Sequence, residues 1–116
     1  MCIRDSAQTA HPDAALLALG REAEAIHVEH ARLEIILHTM RGAEWSAVDS
    51  RQGALIERLV EVIDEMQSMQ ARTIEGVRAK ASALRPSIDV TLRRGQNLDA
   101  ETLLAWSMVR DMAKMA

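Results

Sequence analysis

At 116 residues, 48 % apolar and 27 % charged, the chain has room for one domain with one modest core, and its balance is that of a folded rather than a disordered protein. No apolar run approaches the roughly 18 residues of a membrane-spanning helix, so none is expected. The formal net charge of −3 is uneven: residues 13–71 carry five Arg against eleven acids, residues 72–94 six Arg and Lys against two, and residues 95–116 two against three. Such halves form solvated faces or complement each other, within one fold or across a dimer. With no Phe or Tyr, the core must be built from Leu, Ile, Val, Ala and seven Met, and Trp45 and Trp106 are the two aromatics. A core of that kind is adaptable rather than sharply specified.

The head Met1-Cys2-Ile3-Arg4-Asp5-Ser6 resembles a translated sequencing-adapter sequence of the kind seen on genes from metagenomic assemblies, and is set aside for fold reasoning. Without it the chain holds no cysteine, which excludes disulfides, thiol catalysis and cysteine-ligated zinc together. The head is too polar for a secretory peptide, and the cytoplasm is the expected location. Residues 1–12 are expected to be a tail and 13–116 a single helical domain.

His11-Pro12-Asp13 marks the start of a first helix over about 13–41, because proline fixes φ early and the acid sits at the positive end. Its Leu16, Leu19, Ala23, Ile26, His30, Leu33, Leu37 and Met40 step by three and four without a slip, the spacing that lays one narrow stripe against another helix. Gly20 inside it should cost about 1 kcal/mol relative to alanine. Arg41-Gly42 reads as an exit, with glycine in the left-handed position. Ser46-Ala47-Val48-Asp49 has capping-box spacing and opens a second helix over about 47–71. That helix carries Val48, Gln52, Leu55, Leu59, Val62, Met66 and Met69 on one row and Ile56, Val60 and Ile63 on another. Two rows imply cover on two sides, so this is expected to be the middle helix, joined to the first as an antiparallel hairpin.

Thr73 is a candidate N-cap for a third helix over about 73–85, with Ile74, Val77, Ala81 and Leu84 inward and Arg78, Lys80 and Arg85 outward. Pro86 should end it. Residues 87–97 read as loop or short helix. Asn97 or Asp99 should cap a last helix over about 100–114, bearing Leu103, Leu104, Trp106, Val109, Met112 and Ala113. Trp106 has the largest apolar surface and is expected to anchor this helix on the others.

Three stretches resemble small uncharacterised alphaproteobacterial helical proteins. Ala71-Arg72-Thr73-Ile74-Glu75-Gly76-Val77-Arg78-Ala79-Lys80-Ala81 is similar to their T-x-x-G-hydrophobic-x-x-K-A segment. Leu104-Ala105-Trp106-Ser107-Met108-Val109-Arg110-Asp111-Met112 is similar to their closing L-A-x-S-hydrophobic-x-x-D-hydrophobic helix, and Asp13-Ala14-Ala15-Leu16-Leu17-Ala18-Leu19 to their opening. The resemblance implies a small, helical, bacterial protein and carries no catalytic residues.

Chemistry-bearing patterns are sparse. Glu24-Ala25-Ile26-His27 has the Glu-x-x-His spacing of di-iron bundles, but helix 2 offers Glu57, Glu61, Asp64 and Glu65 without a second histidine. His30, Glu34 and His38 are spaced by four, and two copies together would supply a zinc set. On the stripe, His30 reads first as a half-buried interface histidine and second as a register-setting polar residue. Arg72, Arg78, Lys80 and Arg85, with Arg93 and Arg94, form the one segment suited to phosphate contacts, but it lacks interleaved aromatics. The serines lie in no strand-turn-helix context, and there is no glycine-rich phosphate loop.

The expected fold is all-α: a long antiparallel helical hairpin with one or two shorter C-terminal helices packed on it. Leu16, Leu19, Ile26, His30, Leu33, Leu37, Leu55, Leu59, Val62, Met66 and Trp106 form its core or interface stripe. The expected function is a non-enzymatic interaction or accessory role through helix–helix packing, with no cofactor. The partner is a second copy or another helical protein. Nucleic-acid-associated regulation through residues 72–94 is the alternative, and no membrane is involved.

Overall fold

In the computed structural model the heptad row does what its spacing requires. Leu16, Ala23, Ile26 and Leu33 are buried, and Leu19, His30, Leu37 and Met40 are half-buried beside them. The row sits on α1 (Ala14–Leu37), with Met40 beyond its end, and the facing row of Gln52, Leu55, Leu59, Val62 and Met66 is buried on α2 (Ala43–Gln67). Two further helices, α3 (Ile74–Arg93) and α4 (Asp99–Met115), complete an all-α fold, with no strand among the described residues. The structure describes residues 11–93, 95 and 97–115, without the Arg93 side chain. The adapter-like head with Cys2, and the Arg93 and Arg94 side chains of the basic segment, lie outside the described residues.

Side-chain pairs give the directions of the helices. Gln52 Nε2 donates to Glu34 Oε1 at 2.7 Å, and Arg58 forms a two-pronged pair with Glu22, so α1 and α2 are antiparallel. The Arg58 guanidinium holds the Glu22 carboxyl below its ordinary range. Asp13 meets Thr73 and Gly20 meets Ala79, so α1 and α3 run parallel. Lys80 meets Asp111 and Ser87 meets Glu101, so α3 and α4 are antiparallel. α2 and α3 each touch all three other helices, whereas α1 and α4 do not touch. The Cα envelope is 16 Å through its thin dimension, about two packed helix layers.

Helix ends depart from the sequence expectations. α1 stops at Leu37 rather than Arg41, and Gly42, at φ +77°, stands before α2 instead of closing α1. α2 starts four residues early, so Ser46 is helical and not a cap, and it ends at Gln67, separate from α3. α4 starts at Asp99, one residue earlier than expected, with the Leu98 carbonyl accepting the Thr102 N–H. The second row of α2 is covered only in part: Ile63 is buried and Ile56 half-buried, but Val60 faces water.

Pro86 does not end α3, which continues to Arg93, so 87–93 is helix rather than loop. A proline in a helix interior costs about 3 kcal/mol. The turn beyond it is retained because Val90 and Ser87 are buried and Ser87 and Thr91 bond to Glu101. Thr73 does cap α3, its Oγ1 accepting the Gly76 N–H at 3.2 Å. Gly20 also has a reason: a Cβ there would lie 3.0 Å from Ala79 Cβ, so glycine lets α1 and α3 approach closely.

Candidate interaction surface

Asp13 was expected to favour its own helix, but it makes no side-chain cap there. Its carboxylate instead accepts the Arg72 N–H at 3.0 Å, the Thr73 N–H at 2.8 Å and the Thr73 hydroxyl at 2.7 Å, tying the start of α1 to the start of α3. Burial would raise the Asp13 carboxyl, but the Thr73 hydroxyl, the two amides and nearby His11 outweigh it and hold the group below its ordinary value. Gly76 is part of the same joint, because a Cβ at that position would collide with the carboxylate.

Lys80, expected to point outward, is wholly buried. Its ammonium has three donors, and three acceptors meet them: Met69 O at 2.5 Å, Ser107 Oγ at 3.0 Å and Asp111 Oδ2 at 2.6 Å. The Ser107 hydroxyl in turn donates to Leu104 O at 2.8 Å. About two and three turns further along α3, the Ser87 and Thr91 hydroxyls both donate to buried Glu101. These two polar clips are the α3–α4 joint. Among the described residues no buried side-chain nitrogen or oxygen lacks a partner.

The clips determine which face of α4 turns inward. Its buried residues are Glu101, Leu104, Ser107 and Asp111, three of them polar. Its large apolar residues Leu103, Trp106, Val109 and Met112 are instead 52, 63, 56 and 53 % exposed. Trp106 therefore does not anchor α4 in the core, and Leu103, Val109, Met112 and Ala113 are not the buried set that the sequence pattern suggested. The α3 expectation holds for Val77, Leu84, Arg78 and Arg85 and fails for Ile74, Ala81 and Lys80. Ile74 and Ala81 face water, while Ala79, Lys80, Ala83 and Ser87 face inward with Val77. A spacing signal was present in both helices: Lys80, Ala83, Ser87 and Val90, and Glu101, Leu104, Ser107 and Asp111, keep helical steps once polar residues are admitted to the inner row.

Of the four residues proposed for nucleic-acid contact, Lys80 is unavailable, being spent inside the protein. Arg72, Arg78 and Arg85 are exposed. Arg78 lines a concavity with Glu24 and Glu75, and Arg85 a groove of about 840 Å³ with Glu24 and Asp89, so the α1–α3 surface is of mixed sign. His38 Nε2 lies 3.9 Å from Glu34 Oε2 on the open surface, and His27 is exposed. No group of three or more His, Cys, Asp or Glu among the described residues is placed to hold a metal ion.

Lys80 and Ser107 stand at the distance of a base and a nucleophile, but both are sealed from solvent and their hydrogen bonds are already used. No helix among the described residues is long and apolar enough to cross a membrane. No family model, curated protein or solved structure matches the chain.

Proposed function

We propose that this chain is a non-enzymatic helical interaction or accessory protein, and that α4 is its working surface. The carrying observation is the inverted amphipathicity of that helix. A helix on the surface of a self-sufficient domain turns its apolar stripe to the core. Here two buried polar clips hold the apolar stripe outward. Buried ion pairs contribute little net stability compared with apolar packing, so the clips make more sense as devices that select an orientation than as glue. An apolar face kept exposed in this way marks a place where another surface binds.

The partner class this favours is helical: a second copy of the chain or the apolar face of another protein. Lys80 is buried and Lys114 exposed at the end of α4, so an amine-reactive cross-linker reports on this face. In its native cells the protein should give Lys114 cross-links to helical segments, and Trp106→Glu should remove them while leaving the far-UV circular dichroism unchanged. Cross-links and hydrodynamic size that are the same in the native protein and in Trp106→Glu would refute this reading.

A further inference from the structure

We infer that α4 is a strap: it lifts from α2 and α3 as one unit while α1, α2 and α3 stay packed, and each lifting brings the Lys80 amine into water. The inference concerns the inner face of α4 and stands whatever the outer face binds. The apolar seams of the fold lie elsewhere. α1 buries Leu16, Ala23, Ile26 and Leu33, and α2 buries Leu55, Leu59, Val62, Ile63 and Met66. The buried row of α4 holds one large apolar side chain, Leu104, with Ala100, Met108 and Met115 half-buried beside it. α4 touches α2 and α3 but not α1, so its departure leaves the α1–α2 and α1–α3 contacts whole. The Asp13 joint and the Gly20–Ala79 approach, which tie α1 to α3, contain no residue of α4.

What holds α4 down is largely polar. Lys80 bonds to Ser107 Oγ and Asp111 Oδ2, and Ser87 and Thr91 bond to Glu101. A buried ion pair forms against the lost hydration of both charges, and water restores that hydration when the pair parts. The net contribution of a hydrogen bond is small for the same reason. Parting the whole joint is therefore resisted less than uncovering an apolar seam. Deleting one partner inside the closed joint is a different event, because it strands a charge without water. Local opening starts where few buried apolar contacts hold an element, and α4 is that element here. Once lifted, a helix of 17 residues is marginal in water, so its amides exchange freely in the open state.

Acetylation by a trace of acetic anhydride and amide hydrogen exchange, both read by mass spectrometry on the full chain, test this. Lys80 and Lys114 are the two lysines of the chain, one buried and one exposed, so Lys114 supplies the unprotected rate. Lys80 should label at least about 100-fold more slowly than Lys114, with the same protection factor as the Leu104 and Ser107 amides. That shared factor should lie at least about tenfold below that of the Leu59 and Val62 amides. Ile26→Val weakens a seam that stays closed when α4 lifts. It should speed Leu59 and Val62 exchange by about 3- to 10-fold and leave Lys80 labelling unchanged. Asp111→Asn should speed Lys80 labelling about tenfold or more. One protection factor common to Lys80, α4 and α2 would overturn the inference. So would Lys80 labelling that rises with Ile26→Val or is indifferent to Asp111→Asn. Labelling of Lys80 while the α4 amides stay protected would also overturn it, because the amine would then reach water without the helix lifting.

Discussion

Replacing Asp111 with alanine removes the one carboxylate that, among the described residues, pairs with a lysine that has no access to water. Lys80 Nζ would keep Met69 O and Ser107 Oγ but lose the 2.6 Å bond to the carboxylate. Leaving a buried charge without its counter-charge costs about 3–5 kcal/mol. For a domain of this length, 1 kcal/mol moves the melting temperature by about 4 °C, so Asp111→Ala should melt about 12–20 °C lower. The double variant Lys80→Met, Asp111→Leu behaves differently, because replacing a buried pair with apolar side chains of similar size is neutral or stabilising by about 1–4 kcal/mol. A double-mutant cycle from urea unfolding followed by far-UV circular dichroism should therefore give a coupling above about 2 kcal/mol. The apolar pair should also stop specifying which face of α4 turns inward. In a Trp45→Leu background, Trp106 emission should shift toward that of a buried indole. If Asp111→Ala costs less than about 1 kcal/mol, as an exposed pair does, then Lys80 reaches water and the clip is misdescribed.

Gly76→Ala should destabilise the protein by about 1–3 kcal/mol despite the better helix propensity of alanine, because the new Cβ meets the Asp13 carboxylate. Urea titration reads this directly, and a neutral or stabilising result would mean that Asp13 is not seated there. Asp13 also sets an acid dependence. Its folded-state pKa is depressed, so the stability it contributes is full above the unfolded value of about 3.9 and is lost as pH falls through the lowered folded value. Asp13→Asn should cost about 1 kcal/mol at neutral pH and flatten the fall in unfolding free energy between about pH 5 and pH 2. An unchanged acid limb would contradict the capping role. Ser87→Ala should cost about 1–3 kcal/mol, because Glu101 would keep only the Thr91 hydroxyl as a donor. Thermal melts check this, and a loss indistinguishable from zero would indicate that Glu101 is solvated.

The first half of the fold was legible because α1 and α2 obey one rule. Apolar residues at steps of three and four face each other, and every residue of that row from Leu16 to Met66 is buried or half-buried. In α3 and α4 the same rule misleads, because the inner row mixes Ala83 and Leu104 with Lys80, Ser87, Glu101, Ser107 and Asp111. Each of these polar residues is tolerable inside only with its partner on the other helix, and the helical spacing of either row does not say which polar residues pair. Pro86 was misread for a related reason: local preference ends the helix there, and contacts from Glu101 carry it on. Asp13 does stand at the start of α1, but its carboxylate binds the Arg72 and Thr73 amides just ahead of α3, across 60 residues of chain, instead of capping its own helix.

The claim that α4 shows its apolar face to the outside is tested most directly by comparing Leu104→Ala with Trp106→Ala, at dilutions where stability no longer depends on concentration. Leu104 is fully buried and Trp106 is 63 % exposed. Unfolding free energies should fall by about 2–5 kcal/mol for the leucine and by less than about 1 kcal/mol for the much larger tryptophan. The reverse order would place Trp106 in the core and contradict the account.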